Sequence, residues 1–147
     1  MRFAGYAAVF DRPDRGGDVV RAGAFARALK RGAGAVPLLW QHEAGKPIGR
    51  IEHLSEDKRG LRVIASLSRS AHGREAAGLL GERAVTGLSF GYRVREAKGD
   101  ARAGEGAGLR ELIDLDLVEI SLVTLPMQPK ARVHAVHHEA ETDQKGK

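Results

Sequence analysis

The most constraining feature of this 147-residue chain is an alternating stretch at residues 84–95, AVTGLSFGYRVR. Every second residue in it is large and apolar: Leu88, Phe90, Tyr92 and Val94. This period of two predicts a strand with one buried face. Ser89 then points away from the core, between Gly87 and Gly91, whose missing side chains predict a bare strip that another chain can approach. A serine hydroxyl in such a strip is a candidate nucleophile, although small residues packed under a loop give the same pattern.

Composition narrows the classes of function. The chain has no cysteine, which excludes a disulfide framework, thiolate catalysis and a cysteine-ligated metal. Its net charge of +5 favours an anionic partner, but the basic residues are scattered and aromatic residues make up only 5%, which argues against base stacking. No apolar run approaches membrane-spanning length and the N-terminus lacks a signal-peptide core, so we expect a soluble intracellular protein without membrane contact.

The other patterns predict several short strands with two helices between them. Strands are predicted at residues 2–10, 19–20, 36–41, 48–54, 61–67 and 109–125, and helices at residues 24–30 and 72–83. Residues 98–108 predict a loop. The domain is expected to span residues 1–133, followed by a charged, disordered tail at 134–147. The expected fold class is mainly β with helices (α+β), a small and mostly antiparallel β-barrel or sandwich with helices packed outside.

Three residues with complementary chemistry lie at or beside strong predicted strands: His42, Ser89 and Glu119. A serine hydroxyl is a poor nucleophile until an imidazole takes its proton, and the imidazole needs a partner that fixes its tautomer. The spacing alone does not bring the three together, because nearly every chain of this size contains these residue types.

Alternation divides residues 109–125, the longest predicted strand, into two faces. One face carries Leu117, Glu119, Ser121 and Val123, and the other carries Val118, Ile120, Leu122 and Thr124. Apolar neighbours predict a low-dielectric surrounding for Glu119. Asp114 and Asp116 fall on the opposite face, unless a bulge brings one of them to the site. Ser121 is a rival nucleophile without flanking glycines.

Ordered blocks from about Gly5 to Val133 resemble the tailed-phage prohead (capsid maturation) protease family. The blocks are Gly5-x-Ala7-x-x-Phe10, Gly23-Ala24-Phe25, PLLWQH at 37–42, PIG at 47–49, Gly60-Leu61, GLSFGY at 87–92 and EISLVTLP at 119–126. That family resembles the herpesvirus assemblins in fold, a small β-barrel wrapped by helices. Its members cleave peptide bonds in capsid and scaffold proteins during head maturation.

The resemblance implies a role for each of the three candidate residues. His42 becomes the general base, Ser89 the nucleophile of a serine endopeptidase, and Glu119 the third member that orients His42. In the herpesvirus relatives a histidine is the third member, so the acidic residue is a departure from that pattern. Backbone N–H groups near Ser89 are the expected oxyanion hole. Arg93 lies on the same predicted strand face and could assist through a water, but a surface ion pair is the favoured interpretation of this residue.

The resemblance also implies partners and a location. The substrate is expected to be the major capsid protein with its scaffold segment, inside the assembling procapsid in a bacterial cytoplasm. A homodimer is a further expectation, and the chain fits a phage, a prophage or a gene transfer agent. We expect no specific nucleic acid, no cofactor and no metal, because His42-Glu43 lacks the second histidine of a zinc-protease motif and His134, His137 and His138 fall in the predicted tail.

Two alternatives remain open at this point. The first is a non-catalytic basic β-module that binds capsid protein or nucleic acid. The second is a head-assembly chaperone that keeps the protease fold without its chemistry. Replacement of Ser89 by alanine distinguishes both from a protease, because only a protease depends on that hydroxyl.

Overall fold

The structure is a computed structural model that describes residues 1–99 and 109–138. Its strands are β1 (Arg2–Val9), β2 (Asp18–Val20), β3 (Pro37–Trp40), β4 (Glu43–Glu56), β5 (Gly60–Leu67), β6 (Gly87–Lys98), β7 (Arg110–Val123) and β8 (Val133–His137). Its α-helices are α1 (Ala26–Arg31) and α2 (Ala71–Gly81), and a 3₁₀ turn follows α1 at Ala33–Ala35. None of the helices in these two ranges has the length and apolar character needed to cross a membrane.

The eight strands form one mixed sheet. Its order is β2–β7–β3–β4–β5–β1–β8, and β6 pairs with β7 outside this path. β7 runs parallel to β2 and β3, while its pairing with β6 is antiparallel. The mainly β class with few helices agrees with the prediction. The predicted closed barrel is not confirmed, because the ladder pairings among the described strands leave the path open between β2 and β8.

The strand that carries Ser89 is anchored to the core by its apolar face. Leu88 is fully buried, and Phe90 packs against the same core cluster. Phe25, which precedes α1, meets the Phe90 ring edge to face at a centroid distance of 5.3 Å. Such aromatic pairs add roughly 0.5–1.5 kcal/mol beyond the area they bury. These contacts hold β6 in place through its core-facing side chains, on the face opposite Ser89.

β7 does not alternate strictly, and this corrects the predicted division of its residues into two faces. The register of β6 against β7 shifts at Val118, which has no partner on β6 and is 41% exposed. Such a β-bulge changes which residues face the core. Leu117 and Ile120 are therefore both buried in the core cluster, whereas alternation predicts them on opposite faces. Leu117 is separated from Glu119, with which it was expected to share a face.

The sequence pattern does not predict β8. This strand pairs antiparallel with β1, from Arg2 opposite His137 to Gly5 opposite Val133. Its side chains are mostly exposed, so no buried alternation signals it. Paired structure thus continues past the expected domain end at residue 133. The remainder of the predicted tail, and most of the predicted loop at 98–108, lie outside the described residues.

The helices differ from their predicted bounds at the ends. α1 begins at Ala26 instead of residue 24, because two successive turns precede it, closed by Ala24 N–H to Arg21 O and Ala26 N–H to Gly23 O. α2 begins after Ser70, whose hydroxyl accepts from the Gly73 N–H as an N-cap. It ends at Gly81, shortly before Arg83 adopts a positive φ of 62°.

Candidate active site

Ser89 lies on the face of β6 opposite Leu88 and is 5% exposed. The flanking glycines are on this face, as predicted, but the strip they form is not bare. A Cβ atom at residue 87 would lie 2.8 Å from Pro126 Cδ, and one at residue 91 would lie 2.5 Å from Glu119 Oε2. Side chains of this chain therefore cover the strip that was expected to admit another chain.

β7 supplies the residues that lie beside Ser89. Ser121 is the direct cross-strand partner of Ser89, and Glu119 is the partner of Gly91. Residues directly opposite in an antiparallel pair have Cβ atoms about 4.5–5.5 Å apart on the same face of the sheet. The register therefore brings Ser89, Ser121 and Glu119 onto one small area of the sheet.

His42 occupies a two-residue turn between β3 and β4. Gln41 has φ 51° and His42 has φ 63°, so both lie in the left-handed region. Hairpin turns with two positive φ values favour asparagine and glycine. Other residues held in that region cost about 1–3 kcal/mol each, so this turn needs support from its surroundings.

Hydrogen bonds to the end of β7 provide that support. The Gln41 N–H donates to Leu122 O at 3.0 Å, and the His42 N–H donates to Ser121 Oγ at 3.0 Å. The Gln41 side-chain amide donates to Thr124 Oγ1 at 3.2 Å and accepts from the Thr124 N–H at 3.1 Å. The turn that carries His42 is thus attached directly to the strand that carries Glu119.

His42 and Glu119 contact each other through their side chains. His42 Nδ1 forms a hydrogen bond with Glu119 Oε2, and Glu119 Oε1 accepts from the Ser121 hydroxyl at 2.6 Å. The Glu119 side chain is 9% exposed and the His42 side chain is 42% exposed. This hydrogen bond raises the pKa of His42 above its ordinary value of 6.5, against the smaller opposing effect of partial burial. The contact at Nδ1 leaves Nε2 as the ring nitrogen available for proton transfer.

Ser89 is placed near the His42–Glu119 pair by the pairing of β6 with β7, in which Ser121 lies directly opposite it. Among the described residues Ser89 makes no side-chain hydrogen bond, and its cross-strand partner Ser121 bonds both His42 and Glu119. In the absence of substrate, bonds between a nucleophile and its base are often long and tighten only in the complex. The lack of a bond between Ser89 and His42 is therefore compatible with Ser89 as a candidate nucleophile.

Other candidates from the sequence lie elsewhere. Asp114 forms an ion pair with Arg27 and Asp116 with Arg95, so neither reaches His42. Arg93 is exposed. His134 and His137 lie on β8, and no group of three or more potential metal ligands occurs in residues 1–99 and 109–138.

Two residues of the site carry functions that the sequence does not reveal. Gln41 holds the turn and Ser121 joins the turn to the carboxylate. Gln41 lies in the block next to His42, and Ser121 is two residues from Glu119, but side-chain identity does not indicate a positive φ or a shared hydrogen bond. In the sequence, their closeness to His42 and Glu119 is the only indication that Gln41 and Ser121 belong to the site.

Comparison with known proteins finds relatives over nearly the whole chain. The model of a family described as caudovirus prohead serine protease matches residues 1–145. The prohead protease of Enterobacteria phage HK97 is 32% identical over 136 residues, which cover 91% of this chain. The aligned region spans 59% of the length of that relative.

Three solved structures are similar in fold. The bacteriophage T4 capsid assembly protease gp21 has a TM-score of 0.65 and 13% identity, with 85% of this chain and 82% of that chain covered. KSHV protease in complex with a hexapeptide phosphonate inhibitor has a TM-score of 0.61 and 12% identity, with 98% and 67% covered. Varicella-zoster virus protease has a TM-score of 0.51 and 11% identity, with 90% and 62% covered. At these identities the likeness concerns the fold.

Proposed function

This chain belongs to the caudovirus prohead serine protease family, and we propose that it is a serine endopeptidase that cleaves the scaffold, or N-terminal, segment of the major capsid protein during phage-type head maturation. The observation that carries the proposal is the hydrogen bond between His42 and Glu119, beside the strand pair that holds Ser89. A histidine hydrogen-bonded to a buried carboxylate beside a serine is one of the arrangements that nucleophilic peptide hydrolysis uses.

In the proposed mechanism Ser89 is the nucleophile, His42 the general base and Glu119 the orienting acid. Ser89 Oγ attacks the scissile carbonyl carbon while His42 Nε2 takes the hydroxyl proton. Glu119 stabilises the imidazolium that forms, and His42 then gives the proton to the leaving amine. Water, activated by His42, hydrolyses the acyl-enzyme and restores Ser89.

The names of the relatives support the proposed substrate and location. One is a prohead protease and another a capsid assembly protease. We therefore propose the major capsid protein as partner and the interior of the assembling procapsid as the site of action. Self-association is part of the same proposal, because β8 ends the sheet and an edge strand offers unpaired backbone groups to a second chain.

A barrel remains our proposal for the overall shape of the sheet. An isolated bridge joins Phe10, just after β1, to Val20 of β2, and the Asp11 N–H donates to Val20 O at 3.0 Å. These contacts bring the β2 end of the path back to β1. They support a sheet that curls until its first strand meets its sixth.

One surface feature favours the alternative of a binding module. A depression of about 290 Å³ is lined by Val9, Phe10, Arg12, Lys58, Arg59 and Lys130. Four of these six residues are cationic, which is suited to carboxylates or phosphates. A protease could use the same depression for an acidic stretch of its substrate, so the Ser89→Ala experiment is what distinguishes the two functions.

The decisive experiment is co-expression with the major capsid protein of the same particle, with wild type beside Ser89→Ala, followed by intact mass of the capsid protein. We expect a shortened capsid protein with wild type alone. Shortening with both would show that Ser89 is not the nucleophile. Shortening with neither would favour the binding module, whose complex should then weaken steeply with salt.

A further inference from the structure

Ser121 is a completely buried serine that the proposed mechanism does not use. It lies directly opposite Ser89 on β7, and its hydroxyl makes two hydrogen bonds within the site. It donates to Glu119 Oε1 at 2.6 Å and accepts from the His42 N–H at 3.0 Å. A single hydroxyl thus touches both the residue proposed as base and the residue proposed as acid.

We propose that Ser121 is a positioning residue that fixes His42 and Glu119 relative to each other. This inference rests on the proposed function for its catalytic consequences, while the geometry it describes is independent of substrate. Ser121 is unsuited to be the nucleophile, because its hydroxyl donates a hydrogen bond to Glu119 and its side chain is completely buried.

The first effect of Ser121 is on the carboxylate. A glutamate side chain has three rotatable bonds, and one hydrogen bond to the exposed His42 ring leaves it free to turn. Because Oε1 is held by Ser121, Oε2 is the oxygen that faces His42 Nδ1. Ser121 and Glu119 are two residues apart on one strand, so their relative position is set by the backbone. The carboxylate is therefore aimed before substrate binds.

The second effect is on the backbone of His42. Its left-handed φ of 63° is unfavourable for a histidine, and the hydrogen bond to Ser121 Oγ is one of the contacts that hold it. Loss of the hydroxyl would leave a main-chain donor without its acceptor and let the turn relax. The His42 imidazole would then move away from Glu119 even though neither residue had changed.

The test is Ser121→Ala, read by an NMR titration of the His42 imidazole and by kcat and KM on the capsid protein. We expect the His42 pKa to fall towards 6.5, because the Glu119 hydrogen bond that raises it loosens. We also expect kcat to fall roughly 10- to 100-fold with KM within about twofold, the scale of a small misplacement of reacting groups. An unchanged or higher pKa, or an unchanged kcat, would overturn the proposal.

Further variants separate positioning from general stability. Ser121→Thr keeps a hydroxyl and should restore the raised pKa. Ser121→Cys fills the same space with a weak donor, so it should also lower the pKa, and it serves if the alanine variant does not fold. Ser68→Ala is the matched control, since it removes a hydroxyl bonded to Ile48 O and Ser70 Oγ away from the site and should leave the His42 pKa unchanged. If wild type cleaves nothing, the proposed function fails while the titration still decides the role of Ser121.

Discussion

The carboxylate of Glu119 occupies the space that a side chain at Gly91 would fill. A Cβ atom there would lie 2.5 Å from Oε2 and 3.2 Å from Cδ of Glu119. This is the same oxygen that bonds His42. The absence of a side chain on β6 is therefore what allows an acid on β7 to reach across to the imidazole.

Replacement of Gly91 by alanine should displace the Glu119 carboxylate and impair catalysis. We expect kcat on the capsid protein to fall roughly 10- to 100-fold, because the imidazole loses its aligned partner. Gly78→Ala is the matched control, since a Cβ at that exposed position in α2 meets nothing within 4 Å. It should raise the free energy of unfolding by about 0.5–1 kcal/mol and leave kcat unchanged. Equal kcat for the two variants would contradict this account of Gly91.

The pH dependence of cleavage should reflect the raised pKa of His42. The neutral imidazole is the base, so kcat/KM should rise with pH through a midpoint above 6.5. Because folding raises this pKa, the protonated pair stabilises the fold at pH below 6.5, and the contribution is lost as pH rises through the folded value. The melting temperature difference between wild type and His42→Ala should accordingly shrink with rising pH. A midpoint at or below 6.5 would argue against the His42–Glu119 contact in solution.

Glu119 should be the only acid of β7 that matters for catalysis among the three considered. Glu119→Gln keeps the shape but removes the charge that stabilises the imidazolium, and kcat should fall by roughly 10³–10⁴-fold. Asp116→Asn breaks an exposed ion pair with Arg95, which is worth at most about 1 kcal/mol, and should leave kcat within about twofold. A larger loss of kcat for the aspartate variant would assign the third member to Asp116.

Gln41 should influence catalysis through the turn it holds. Gln41→Ala removes both side-chain hydrogen bonds to Thr124, and we expect about a 10-fold lower kcat with KM little changed. Thr124→Val removes only the hydroxyl and leaves the main-chain N–H bonded to Gln41, so its effect should be smaller. Steady-state kinetics of the two variants beside wild type give the comparison, and a greater loss for the valine variant would contradict it.

The sequence predicts the strand that carries the nucleophile because local periodicity determines it. Leu88 and Phe90 are packed on the core and Ser89 is on the other face, as alternation requires. The same reasoning fails on β7, because the bulge at Val118 depends on its pairing with β6 and leaves no trace in the alternation of apolar residues. The register between two strands depends on both of them, so the sequence of β7 alone does not predict where its pairing with β6 shifts.

The geometry of the candidate site was harder to predict from the sequence than the strand that carries Ser89. Alternation places Glu119 and Ser121 on one face, but the positive φ of Gln41 and His42 arises from contacts with Leu122, Ser121 and Thr124. Neither glutamine nor histidine signals a left-handed turn. β8 was missed for a related reason, since its exposed side chains follow no buried pattern.

The most direct measurement for the account is covalent labelling with a peptide phosphonate, followed by mass spectrometric mapping of the modified residue. An activated serine attacks the phosphorus of an aryl phosphonate ester, expels the aryloxide while the histidine takes the hydroxyl proton, and keeps the phosphonyl group as a stable adduct. The account predicts one adduct on Ser89 in wild type, none on Ser89→Ala, and much slower labelling of His42→Ala. An adduct on Ser121, or equal labelling of wild type and Ser89→Ala, would contradict it.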